Sequence, residues 1–285
     1  MSDIKLIECP RDAMQGLHDF IETDTKARYI NQLLKVGFDT IDFGSFVSPK
    51  AIPQMRDTAE VLSKLDLGST SSKLLAIVAN QRGADDACQF DEIDYLGFPF
   101  SISETFQQRN TKSSIEESLS RVDSIQKLAI KSKKKLVVYI SMAFGNPYED
   151  EWNAEIAIRW SKKLSDMGVE ILALSDTIGA ANPNDIEYLF KSLIPELPSV
   201  EFGAHLHSTP QTVDSKLAAA INAGCKRIDG AIKGYGGCPM AKNDLTGNMP
   251  TEIMKSYLEG NRLNLGLNDN AFAESLAMVN GVFPQ

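Results

Sequence analysis

Eight short β-branched, apolar runs recur along this chain, each followed by a helix or a helix-sized segment, and few architectures accept that alternation. The runs are Ile4–Cys9, Phe38–Phe43, Leu74–Asn80, Ile93–Phe98, Leu136–Met142, Glu170–Asp176, Phe202–His207 and Arg227–Ile232. Between them lie amphipathic stripes. Ala27, Ile30, Leu33 and Leu34 make one, Val213, Leu217, Ala220 and Ile221 another. A third, Ile115, Leu119, Val122, Ile125 and Leu128, is opened by Ser114-x-x-Glu117, which has the capping-box spacing. Gly37, Gly168 and Gly224 each fall between such a helix and the next strand, where a left-handed residue would end the helix. Eight such units predict an α/β (β/α)8 TIM barrel rather than an open doubly wound sheet. The third unit is the weakest, because RGADDACQF leaves room for only a short helix. A final helix around Asn270–Val279 is expected to pack outside the closed barrel, within a C-terminal extension of about 262–285. No composition break or low-complexity linker divides the chain, so one domain over residues 1–285 is expected.

Charge and composition narrow the function classes. A net charge of −9 argues against nucleic acid or an anionic membrane as a bulk partner. No stretch approaches the roughly 18 to 20 uninterrupted apolar residues of a membrane span, and MSDIKLIECP lacks a signal-peptide core. A soluble cytoplasmic enzyme is the expectation. Cys9, Cys88, Cys225 and Cys238 have neither paired nor metal-type spacing and read as free thiols. Lys131, Lys133, Lys134 and Lys135 read as a solvated run, and Trp152 and Trp160 as packing residues on one helix.

Barrel enzymes assemble their sites from the C-terminal ends of strands and the loops that follow. Unusual polar residues fall there: Arg11 and Asp12 after the first run, Asp42 and Ser45 at the second, Tyr139 in the fifth, Asp176 and Thr177 at the sixth. The seventh run ends in AHLHST, whose His205 and His207 alternate on one strand face, close enough to share one divalent ion. Asp12, from a strand near the seventh around the closed ring, can add a carboxylate oxygen, and a loop amide such as Asn248 another. Mixed nitrogen and oxygen ligation of this kind suits Mg2+ or Mn2+. After the eighth run, the glycines of GYGGCPMA would let the segment of about 234–248 close as a lid.

IECPRDAMQ, SFVSPKAIPQM, SIEESLSRVD, SDTIG, AHLHST, GYGGCPMA and TGNMPTEIMKSYLEG together resemble the 3-hydroxy-3-methylglutaryl-CoA lyase family, in order and spacing, from about Ile4 to Gly260. The resemblance implies a metal-dependent TIM-barrel lyase acting on an acyl-CoA. Arg11 then matches the arginine that steadies the enolate oxygen, and Asp12, His205, His207 and Asn248 match the metal ligands. His205 is also suited to proton transfer at the substrate hydroxyl. Cys238 matches the loop cysteine that protonates the departing carbon, and Asp42 stands at the family's strand-two glutamate as a further catalytic residue. Ser45, Tyr139, Asp176 and Thr177 are expected to line the substrate. Barrels of this family are often dimers, so a homodimer is implied.

Several positions depart from the family pattern. IDFGSF replaces a stretch like IETTSF, putting Asp42 on a shorter arm. H-x-H-D-T becomes His205-Leu-His207-Ser208-Thr209, PRDG becomes PRDA at Ala13, and the segment from Cys238 to Asn248 is one residue longer. Three readings follow. The first is cleavage of 3-hydroxy-3-methylglutaryl-CoA to acetyl-CoA and acetoacetate. The second is a related retro-aldol or retro-Claisen lyase for another 3-hydroxyacyl-CoA or a 4-hydroxy-2-oxo acid. The third is a barrel that binds without catalysing.

Overall fold

All eight runs form strands in a computed structural model that describes residues 4–237 and 246–283. They are β1 (Lys5–Glu8), β2 (Thr40–Ser45), β3 (Lys73–Ile77), β4 (Tyr95–Ser101), β5 (Lys135–Ser141), β6 (Ile171–Asp176), β7 (Glu201–Ser208) and β8 (Arg227–Gly230). Each pairs in parallel with the next, and β8 pairs with β1, which closes the sheet into a barrel. A two-residue strand, β9 (Gly247–Asn248), adds to β7 in the antiparallel sense.

The helices are α1 (Pro10–Gln15), α2 (Thr23–Val36), α3 (Thr58–Ser63), α4 (Gln81–Ala87), α5 (Glu104–Thr111), α6 (Ile115–Lys131), α7 (Ala154–Asp166), α8 (Pro183–Glu196), α9 (Val213–Asn222), α10 (Thr251–Gly260) and α11 (Asp269–Val282). The weak third unit is filled by α4, whose start is capped by Asn80 accepting from Gly83 N. Ser114 and Glu117 cap α6 reciprocally, as their spacing predicts. Gly37 ends α2 at φ 84°, a left-handed conformation that a side chain would strain.

Two layers of core result. The larger lies between barrel and helices and takes the outward residues of the strands, such as Ile41, Leu96, Phe98, Leu172 and Ile228. The barrel interior holds a smaller apolar plug of Leu75, Ile77, Val137, Tyr139, Ile171 and Ala173. Polar residues stand above that plug at the mouth, which is where the chemistry can be. Outside the barrel, α11 lies along α2. Phe272 meets Phe38 edge-on at 6.4 Å, and Gln32 Nε2 donates to Ala271 O at 3.1 Å.

Two expectations need correction. Lys134 is not part of a solvated run: it is buried, and its Nζ donates to Phe90 O and Ile93 O, both at 2.7 Å. Its ammonium thus spends its hydrogen bonds on backbone carbonyls just ahead of β4 rather than on water. Trp152 is not on the helix of Trp160, because Asn153 caps α7 one residue later, and the Trp152 indole donates to Ala143 O at 3.1 Å.

Candidate active site

Proline at the first helical position fixes the turn from β1 into α1, so Arg11 and Asp12 leave the strand at once and enter the barrel mouth. Both are buried, at 7% exposure each. Arg11 forks between two carboxylates. Its Nε lies 3.2 and 3.1 Å from the two oxygens of Asp42, its Nη2 donates to Asp42 Oδ2, and its Nη1 donates to Asp12 Oδ1 at 2.8 Å. Gln15, one helical turn on, also donates to Asp12 Oδ1, at 2.7 Å. Burial works against the Arg11 charge, but Asp42 and Asp12 outweigh it and hold the guanidinium protonated. Burial holds Asp42 above the usual carboxylate range despite the guanidinium beside it.

A bulge in β2 sets Asp42 and Ser45. Asp42 pairs with Leu75, Gly44 with Ala76 and Ser45 with Ile77, so Phe43 is skipped. Leu75 and Ile77 both belong to the interior plug, and the skipped residue brings Asp42 and Ser45 beside them although three positions separate the two. Ser45 Oγ donates to Ile77 O at 3.3 Å.

His205 and His207 face the same mouth from β7, with ring centroids 5.5 Å apart. One ligand atom from each and one from Asp12 lie within 4.8 Å of one another. Neither ring nitrogen of His207 has a hydrogen-bond partner among the described residues, although the residue is buried. Burial, with the neighbouring His205 charge, lowers His207 to about 4, so it is a neutral imidazole with one lone pair to give. Burial pushes His205 down, but the hydrogen bond and charge of Asp229 more than reverse it. Asp12 meets the same burial, yet Arg11 and the two histidines bring it down to about 2. A carboxylate, two imidazoles and an amide fit a hard or borderline divalent cation, and the two carboxylates around one guanidinium leave negative charge for it to balance.

Asn248 reaches this group through β9, whose pairing sets it directly against His207. Its Nδ2 donates to Asp12 Oδ2 at 2.7 Å and to Tyr235 O at 2.9 Å. Backbone comes very close here: a Cβ on Gly236, at φ 87°, would lie 2.7 Å from Asp12 O and 2.8 Å from Asn248 Nδ2. Cys238 lies outside the described residues, as does 238–245 of the expected lid.

Tyr139 points into the barrel from β5, its ring edge-on to His205 at 5.5 Å. Asp176 is not brought into this group of residues. It points outward from β6, where its carboxylate accepts from Lys216 Nζ at 2.7 Å and from Ala181 N at 3.0 Å. Lys216 is buried and would be left as an unpaired charge otherwise. Thr177 Oγ1 accepts from Met142 N at 2.9 Å and holds the loops after β5 and β6 together. Gln15, Lys216 and Asp229 escaped sequence reasoning. Asp229 had a signal, since Arg227-Ile228-Asp229 repeats the polar, apolar, polar alternation of His205-Leu206-His207.

Residues 4–279 match the model of the HMGL-like family. The chain belongs to the HMGL-like family. Within that family it is 36% identical to the hydroxymethylglutaryl-CoA lyase of Bacillus subtilis over 250 residues, 88% of this chain and 83% of the relative. To the human cytoplasmic 3-hydroxy-3-methylglutaryl-CoA lyase it is 32% identical over 268 residues, 93% of this chain and 71% of that one. The crystal structure of the Bacillus subtilis HMG-CoA lyase superposes with a TM-score of 0.92 at 32% identity, covering 99% of this chain and 94% of the other. An HMG-CoA lyase from Acinetobacter baumannii, in complex with coenzyme A and 3-methylmalate, gives 0.90 at 26% identity, covering 98% and 90%. No described helix of this HMGL-like chain is long and apolar enough to cross a membrane.

Proposed function

We propose that this barrel cleaves 3-hydroxy-3-methylglutaryl-CoA to acetyl-CoA and acetoacetate. One observation carries the reading: Asp12, His205, His207 and Asn248 converge at one end of a closed barrel, beside a buried arginine, in a chain of the HMGL-like family. Coenzyme A bound to the Acinetobacter baumannii relative supports an acyl-CoA substrate.

The residues divide the reaction among them. Asp12, His205, His207 and Asn248 would hold the cation, which we assign as Mg2+ or Mn2+ from its nitrogen and oxygen donors. When bound, the cation lowers the pKa of the substrate's C3 hydroxyl and fixes its orientation. His205, raised in basicity by Asp229, takes the hydroxyl proton. As the C2–C3 bond breaks, its electron pair moves into the thioester and the C3 alkoxide becomes the ketone of acetoacetate. Arg11 stands ready to donate to the enolate oxygen that develops, a stabilisation of about 3 to 4 kcal/mol by comparison with other oxyanion donors. Asp42 keeps that guanidinium aimed through its paired contacts. Cys238 then delivers its proton to C2, completing acetyl-CoA, with 234–248 acting as the lid that excludes water. Tyr139, Ser45 and Thr177 shape the acyl pocket in this reading. A homodimer and a cytoplasmic location belong to the same reading, the latter by likeness to relatives named cytoplasmic, although mitochondrial ones stand beside them.

A coupled assay for acetoacetate release, with Mg2+ or Mn2+ and with EDTA, tests this on wild type and Cys238→Ala. Metal-dependent release that drops by orders of magnitude in the variant is expected. Cleavage of a 2-oxo acid without any need for coenzyme A would overturn the substrate assignment.

A further inference from the structure

His205 and His207 are the same residue type on the same strand face, yet their surroundings differ. His205 Nδ1 lies 3.1 Å from Asp229 Oδ2, whereas His207 has no carboxylate on either nitrogen. Asp229 is 2% exposed and sits on β8, one strand over. Its other oxygen, Oδ1, has no hydrogen-bond partner among the described residues. Burial works against the charge of Arg227, two residues earlier on the same strand face, and Asp229 is the largest contribution that favours it. Tyr139 closes the remaining side of the His205 ring, at 80° and 5.5 Å.

We propose that Asp229 is a positioning residue that holds His205 with its proton on Nδ1 and its lone pair on Nε2. That tautomer leaves the lone pair of Nε2 for a cation shared with Asp12 and His207. Turning the ring over would leave both Asp229 oxygens buried without a donor, which the barrel interior strongly disfavours. Tyr139, edge-on, keeps the ring from swinging out of that contact. The two ligands thus have separate tasks: His207 only ligates, while His205 ligates as a ring whose proton is placed by the strand beside it. This rests on the reading of His205 as a metal ligand, and it adds to that reading the tautomer that Asp229 imposes.

The test uses the full chain stripped of metal by chelation and contains no substrate. Long-range 1H–15N NMR at mildly alkaline pH reads the tautomer of each histidine, with His207→Gln and His18→Gln assigning the signals. Wild-type His205 is expected as the Nδ1–H form. Asp229→Ala should move it toward Nε2–H and weaken Mn2+ binding, measured calorimetrically, by about 10- to 100-fold. Asp229→Asn keeps an acceptor oxygen and should retain most of the Nδ1–H form with a smaller loss. Wild-type His205 in the Nε2–H form overturns the proposal with no variant needed. So does a folded Asp229→Ala protein with unchanged tautomer and Mn2+ affinity. Because no acyl-CoA enters the experiment, a chain that fails to cleave 3-hydroxy-3-methylglutaryl-CoA can still pass it, and the two failures stay separate.

Discussion

Asn248 and Asp12, 236 positions apart in sequence, meet side chain to side chain: Asn248 Nδ2 donates to Asp12 Oδ2 at 2.7 Å. β9 makes this meeting through two residues of antiparallel pairing against the strand that carries both histidines. Removing the amide should therefore cost metal affinity while leaving the barrel intact. Asn248→Ala is expected to bind Mn2+ about 10- to 100-fold more weakly. Thermal melts check it: measured from each protein's own melt in EDTA, the gain on adding Mn2+ should be larger for wild type than for the variant. Equal gains would remove Asn248 from the ligand set.

Arg11 forks between Asp12 and Asp42, and the three are buried together. Arg11→Met should lower kcat by about 100- to 1000-fold, as the loss of an oxyanion donor does elsewhere. Asp42→Ala leaves the guanidinium with one carboxylate and should cost about 3 kcal/mol or more in urea unfolding, because a buried pair is broken on one side only. Asp42→Glu, which restores the charge, should recover most of that stability.

Glu8 predicts a pH dependence. It is buried beside the mouth, with Oε1 accepting from Ile232 N at 2.9 Å and Oε2 from Thr251 Oγ1 at 2.6 Å, so it ties β1 to residues that precede and follow the 234–248 segment. Burial raises it from 4.5 to about 8, against the pull of those hydrogen bonds. The folded chain therefore holds a proton that the unfolded chain releases between those pH values. The stability Glu8 contributes is complete below pH 4.5 and is lost as pH rises through about 8. Urea unfolding of Glu8→Gln across this window should lack that decline, which is worth up to about 1.4 kcal/mol per pH unit. Parallel curves for wild type and variant would show that Glu8 does not titrate there.

Gly236 cannot take a side chain without moving the site. A Cβ there would lie 2.7 Å from Asp12 O, 2.8 Å from Asn248 Nδ2 and 2.9 Å from Ala13 Cα, at a backbone φ of 87°. Gly236→Ala is expected to lower both thermal stability and Mn2+ affinity, whereas Gly260→Ala, with nothing within 4 Å, should do neither. Calorimetry on the two variants makes the comparison.

Periodicity was enough for the barrel, because burial on one face repeats with the geometry of each element and leaves its mark locally. The eight runs, the Ser114 cap and the helix-ending glycines were all legible for that reason. His205 and His207 were legible too, since a strand's period of two alone places both on one face. Other facts depend on what a side chain meets across the fold. Asp176 sits at a strand end like Asp42, yet Lys216, forty residues on, draws it outward. Asp42 and Ser45 stand beside interior neighbours only because a bulge skips Phe43. Lys134 looked solvated beside its lysine neighbours, but carbonyls from a distant loop bury it. By itself the sequence determined the elements, the closed barrel and the chemical types gathered at its mouth. Tertiary structure alone decided which buried carboxylate meets which partner, because a charge taken out of water must find its counterpart wherever the closed ring puts one.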